Sequence, residues 1–519
     1  MRFFLSLLLA LLFIVPNAAF AAKVQKIIYI PIDNRPVSLD YVTETFSFYG
    51  IELITPPESL LSSNKHAGDP DALMKWLLKN ANKSDIAVIA ADSLIYGGLV
   101  PSRTHNEDLQ VLLKRAQAIN MIKYANKDMK IFVYSSLMRT PWKSTAFVEP
   151  PYYEEYGSMF FRLSQLLDKE DMDGSLSLLD ATEKKNYLEL IPQEYQNDWF
   201  ARRKKNIAIH NFLIDSFKAG YFNSLTIGKD DNAPLSQTHY EARMLSKNIN
   251  AFDSNIRILP GIDQLGMLLL TKSVFDASLT MPKVYVVYNT GAGGQTLPSY
   301  SDQNLASSVF EQLRLLGGEY TFSPNDADLV LAVNSPENGI TPEASENINI
   351  TSPTTRLNNF AKQINALAAR GAKIAVADVA YGNGASNSFM KAMSNNASFE
   401  KIYAYSGWNT ADNTIGYALA QGILSTEMSK SKRTILLKTR LLDDWIYQAN
   451  VRQDVLDKYF RTNIYKQYAL GNDTKKYVDI VGEAMGEEVA YIPYLNTTKF
   501  MVSLPWSRMF EVKIRVPAN

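Results

Sequence analysis

Ten short apolar runs recur along the chain with longer amphipathic stretches between them, and this rhythm limits the folds open to it. The runs are 26–32, 51–54, 85–91, 130–134, 224–227, 255–259, 283–288, 328–333, 373–377 and 401–405. Most are continuously apolar rather than alternating, the pattern of parallel strands buried on both faces. Helical periodicity marks 70–80, 107–125, 199–219, 306–316, 355–370 and 413–425. Strand and helix in alternation predict an α/β fold with mostly parallel sheets.

Ten strands exceed one standard barrel and suit two lobes. The expected division is a first α/β lobe over 22–278, doubly wound or partially barrel-like, and a second α/β lobe over 279–428. A helical segment with a β-like tail at 510–516 follows over 429–519. A stretch rich in Tyr, Glu and Leu at about 149–203 breaks the rhythm after the fourth strand and reads as a helical insertion. The polar stretch 336–353 reads as a loop or lid.

The first 21 residues have the layout of a cleavable export signal. Arg2 supplies the charge, Phe3 to Val15 the apolar run, Pro16 and Asn17 the break, and Ala19-Phe20-Ala21 the cleavage site. The apolar run is shorter than the roughly 20 residues that span a bilayer, and no later stretch is long and apolar enough to do so. The expectation is a periplasmic or secreted protein with no stable membrane span after cleavage at Ala21. Cysteine is absent, which excludes a lipobox, disulfides, Cys-ligated zinc and a cysteine nucleophile. Lys+Arg and Asp+Glu are both 53, so no basic excess points to nucleic acid.

In parallel α/β folds ligands bind at the carboxyl ends of the strands. Here those ends carry polar, Gly- and Pro-punctuated loops. The first holds Asp33-Asn34-Arg35, and the third holds Asp92 and Tyr96 and runs on to Arg103. Arg139 follows the fourth strand, Asp230-Asp231 the fifth and Asp263 the sixth. Asp378 follows the ninth, and Trp408-Asn409 with Asn413 the tenth. Any one Asp or Asn here can be the cap of the next helix. Together, Arg35, Arg103, Arg139 and the aspartates are expected to share one rim, with Gly407–Gly416 on the same surface.

The runs IPIDNRPV from Ile30, ITPP from Ile54, GDPDAL from Gly68 and ADSLIYGGLVPSR from Ala91 resemble blocks of the domain-of-unknown-function 4127 family. So do GKDDNAP from Gly228, GWNTADNTIG from Gly407 and LPWSRMFEV from Leu504. The resemblance spans nearly the whole mature chain in the same block order. It implies no particular chemistry, because the family has no assigned function.

Three function classes remain. The first is an exported carbohydrate-active hydrolase needing no cofactor, with paired carboxylates flanking a glycosidic bond. Asp92, leaving an apolar strand, is the expected general acid. Asp230 or Asp231, beside Lys229, is the expected base or nucleophile. Asp33, Asn34, Arg35, Tyr96, Arg103, Arg139, Asp263, Asp378, Trp408, Asn409 and Asn413 are the expected substrate-binding residues for a glycan or other small molecule. The second class is a metal-assisted hydrolase using clustered oxygen ligands. The four histidines show no zinc-binding spacing. The third is a non-catalytic two-lobed ligand-binding protein. Serines 93, 102, 135 and 136 lie at strand ends without a G-x-S-x-G elbow.

Overall fold

The structure, a computed structural model, describes residues 24–64, 66–145, 147–250 and 253–518. The export signal and its cleavage site lie outside the described residues.

Each of the ten apolar runs contributes a strand. The first sheet holds β1 (Lys26–Ile30), β2 (Glu52–Ile54), β3 (Ile86–Ala90), β4 (Lys130–Leu137), β5 (Ser224–Lys229) and β6 (Ile256–Pro260), in the order β2-β1-β3-β4-β5-β6. The second holds β7 (Lys283–Tyr288), β8 (Glu319–Tyr320), β9 (Leu329–Asn334), β10 (Ile374–Asp378) and β11 (Ala404–Ser406), in the order β11-β10-β9-β7-β8. Every pairing within both sheets is parallel. Both sheets are open, so the first is wound on both faces and is not barrel-like. The two-residue β8 was too short to show in the apolar pattern. The tail adds an antiparallel pair, β12 (Met501–Ser503) with β13 (Lys513–Arg515).

Counted from its own first strand, each sheet reads 2-1-3-4-5, with a sixth strand appended to the first. Strand order therefore reverses twice, between β1 and β3 and between β7 and β9. Such reversals open a crevice at the carboxyl edge.

Two helices explain how the sheets are joined. Leu265–Ser278 is apolar on nearly all sides and buried from Leu265 through Phe275, and all of Ala411–Ser425 is buried. A helix that is apolar all round needs protein on every side. Both helices lie between the sheets. One continuous core joins Tyr29, Val88 and Tyr134 of the first sheet to Leu331, Val333 and Ala377 of the second, through Leu268, Leu269, Ile415 and Leu419. Gly422 lets the second helix lie close on the sheet, since a Cβ there would stand 2.6 Å from the Ala375 Cβ.

The outer faces carry amphipathic helices, giving five layers. Pro70–Asn80, Leu109–Asn120 and Gln193–Lys218 pack on the first sheet. Thr355–Ala369 and Asn387–Asn395 pack on the second, with the C-terminal helices Lys430–Arg440, Leu441–Val451 (a π-helix) and Thr474–Val489. Pro70–Asn80 starts where its sequence says it should: the Asp69 side chain accepts from the Ala72 N–H and Pro70 stands in the first turn. The insertion is helical, formed by Tyr153–Asp173 and Leu178–Leu190, and it continues into Gln193–Lys218.

Candidate active-site cleft

The carboxyl edges of both sheets border one cleft with a cavity of about 240 Å³. The first sheet supplies Arg35 after β1, Arg103 after β3, Arg139 after β4, Asp230 and Asp231 after β5, and Asp263 after β6. The second supplies Tyr300, Asn383, Asn409, Thr410 and Asn413. The C-terminal tail closes one side with Trp506, Arg508 and Phe510.

Ion pairs fix the lining. Arg35 donates through Nε to Asp33 at 2.7 Å and through Nη2 to Asp263 at 2.6 Å. Asn409 donates to the other Asp263 oxygen at 2.9 Å. Arg103 pairs with Asp230. Arg139 donates to Asp231 at 2.7 Å and to Glu149 at 2.5 Å, and Glu149 lies 3.7 Å from Arg103. Glu149 thus sits between two guanidiniums.

Burial separates the carboxylates. The Asp231 side chain is 20% exposed, against 9% for Asp230 and 4% for Asp263, so Asp231 is the most open of the three. Burial pushes its carboxyl up to about 6, with Arg139 opposing and Asp230 reinforcing the rise. Asp263 is also raised by burial, against the pull of Arg35.

Two backbone features shape the loops. Gly97 and Gly98 have φ of 92° and 128°, which lets the chain turn from β3 towards Arg103. Tyr300 and Asn383 are non-glycine residues at φ of 68° and 58°. Glu343 holds both, accepting from the Tyr300 hydroxyl and, at 2.9 Å, from the Asn383 amide.

Several expected site residues lie elsewhere. Asp92 is fully buried beneath the cleft: one oxygen accepts from the Ser136 N–H at 2.9 Å and the other has no hydrogen-bond partner. Burial raises its carboxyl to about 7, as expected of a desolvated acid, but the same burial keeps it out of the cleft. Asp378 is equally enclosed, accepting from Asn334, the Ser386 N–H and Tyr405. Tyr96 stacks on His105 in a neighbouring cavity. Asp33 stands behind Arg35, and Asn34 accepts from the Trp506 indole at 2.7 Å. Trp408 packs into the core against Phe510, although Asn409 and Asn413 beside it line the cleft. Lys229 does not serve Asp230 or Asp231, because both oxygens of Asp302 hold its ammonium at 2.6 Å. Asp230 and Asp231 both line the cleft.

Sequence reasoning passed over Glu149, Tyr300, Asn383 and the tail. Glu149 stands at the first residue of the helical insertion, where it read as a boundary. The tail residues lay within the block LPWSRMFEV.

A model of a family of proteins of unknown function, DUF4127, matches residues 27–515. The chain belongs to this family. No curated protein and no solved structure matches it.

Proposed function

We propose that the cleft binds a glycan and hydrolyses a glycosidic bond. One observation carries the reading: Asp231, the most open carboxylate in the cleft, has a carboxyl raised to about 6 and stands among aromatic side chains. Trp142, Phe147, Tyr300, Tyr468 and Trp506 line the same cavity, an aromatic-rich lining of the kind that suits the apolar face of a sugar ring. Arginine and asparagine side chains between them suit hydroxyl groups.

In this reading Asp231 is the general acid that protonates the leaving oxygen. Asp230, held by Arg103, is the second carboxylate, acting on water or on the sugar. Asp92 takes no part in contacting substrate. The test is turnover of a panel of envelope and plant glycans by the protein and by Asp231→Asn and Asp230→Asn. Folded variants with undiminished turnover overturn these roles. No turnover by the parent protein favours a non-catalytic binder.

Export belongs to the same proposal, carried by the succession from Arg2 to Ala21. No helix among the described residues is long and apolar enough to cross a membrane. Mass spectrometry of the mature protein should find Ala22 at its N-terminus, and a chain retaining residues 3–15 overturns cleavage.

A further inference from the structure

The cleft does not end at its own walls. Val100, Phe147 and Val148 line both it and a second cavity of about 650 Å³. Thr104, Asn106 and Glu149 line both that cavity and a third of about 560 Å³, which reaches the helical insertion at Tyr152 and Tyr195. The three cavities are consecutive, each sharing a wall with the next.

Beneath the wall of the middle cavity lie polar atoms that no protein group satisfies. The Tyr96 hydroxyl, His105 Nδ1 and Glu149 Oε2 have no hydrogen-bond partner, and all three residues are at least nine-tenths buried. The proton on His105 can be placed. Asn206 donates its amide to the Ser102 carbonyl at 2.9 Å, so its oxygen accepts from His105 Nε2, also at 2.9 Å. Burial lowers the His105 pKa to about 4, so the ring is neutral and Nδ1 is a bare acceptor. These three atoms have almost no accessible surface, so the wall presents to a ligand the half-buried Thr104 and the exposed Asn106, whose side chains both donate and accept, as sugar hydroxyls do. Buried polar groups without partners are uncommon in native proteins and call for a cause.

The third cavity ends on an aromatic platform. The rings of Tyr152 and Tyr195 stack at 4.8 Å, and Asp198 accepts from the Tyr152 hydroxyl at 2.6 Å. Aromatic faces therefore occur at both ends of the series, with Trp142 and Trp506 in the cleft and this pair in the insertion.

We infer that the three cavities form one extended groove, and that the substrate is a glycan chain of several sugar residues whose distal part lies against Tyr152 and Tyr195. The inference rests on the glycan reading of the cleft. It gives the helical insertion a purpose, since that insertion supplies the far end of the groove.

Calorimetry with sugar dimers and hexamers tests it, using β-1,4-glucose, β-1,4-N-acetylglucosamine, β-1,4-xylose and α-1,4-glucose series on the full mature protein. The hexamer of one series should bind at least about tenfold more tightly than its dimer, the worth of one well-placed aromatic contact. Tyr195→Ala should remove that advantage and leave dimer affinity unchanged. Asn106→Ala, in the middle cavity, should reduce it independently, which guards against a folding defect in the first variant. Equal affinity for dimer and hexamer overturns the groove while leaving the glycan reading intact. A hexamer advantage that survives both substitutions overturns this path for the chain. Absence of binding in all four series overturns the groove and the glycan reading together.

Discussion

Asn409 and Asp263, 146 residues apart in sequence, meet at 2.9 Å where the loop after β11 reaches the loop after β6. Asn413, one helical turn further on, accepts from the Ile262 and Asp263 N–H groups at 3.2 and 3.1 Å. Through these contacts the second sheet holds the floor of a cleft built largely by the first. Replacing Asn413 by Ala leaves two buried N–H donors without an acceptor, a cost of about 1–3 kcal/mol for each such group. Asn413→Ala should therefore lower the unfolding midpoint measurably. Asn409→Ala removes a single bond to a carboxylate that Arg35 still holds, and it should cost less. Thermal unfolding of the two variants side by side checks the order, and a larger loss in Asn409→Ala contradicts it.

If Asp231 donates a proton, its protonated form is the working one. With its carboxyl raised to about 6, activity should decline as pH rises through that value. Asp231→Asn should remove about 10²–10⁴-fold of the rate and abolish this limb. The pH dependence of kcat/KM for both proteins is the measurement. A parent profile still rising above pH 7 excludes Asp231 as the acid.

Asp92 makes a prediction about stability rather than turnover. Its folded-state carboxyl, at about 7, lies above the ordinary carboxylate range reached on unfolding. The folded state therefore keeps a proton that the unfolded state releases. The contribution of Asp92 to stability is greatest below about pH 4, falls as pH rises towards 7, and is level above. The size of the fall is roughly 4 kcal/mol for this group alone. Asp378, raised to about 6, and Asp444, raised to about 7, act in the same direction. Asp92→Asn should keep the acceptor for the Ser136 N–H and lose this share of the slope. Denaturant unfolding at pH 5 and pH 8 should show the variant gaining at pH 8 relative to the parent, and an unchanged difference between the two pH values refutes it.

The contrast between Asp92 and Asp231 shows what the sequence could and could not reveal. Continuous apolar runs identified strands buried on both faces, and parallel strands place all following loops on one edge. That logic located Arg35, Arg103, Arg139, Asp230, Asp231 and Asp263 correctly on the cleft. It could not say whether a residue immediately after a strand turns outwards or stays beneath its neighbours, and Asp92 stays beneath Ser136. Contacts closed over long separations were hidden for another reason. Trp506 meets Asn34 across 472 residues, and no local periodicity encodes that meeting. The equal strand order of the two sheets was also invisible, because topology can repeat without any repeat in sequence.

Glu149 offers the sharpest test of how the cleft controls its acid. Its Oε1 accepts from Arg139 at 2.5 Å, while Arg139 also donates to Asp231 at 2.7 Å. One guanidinium is thus divided between a fully enclosed carboxylate and the proposed acid. Glu149→Gln removes a negative charge and preserves the shape. Arg139 then has less compensation and favours the ionised form of Asp231 more strongly, so the Asp231 carboxyl must fall from about 6. The limb of the kcat/KM profile assigned to Asp231 should move to lower pH. Stability should fall as well, because Arg103 and Arg139 lose a shared partner inside the protein, and breaking one side of a buried pair costs about 3–5 kcal/mol. A residue with only a structural role would give the stability loss without the displaced limb. The pH profile of the folded variant separates the two: a limb unmoved from the parent value, or moved to higher pH, refutes the coupling through Arg139.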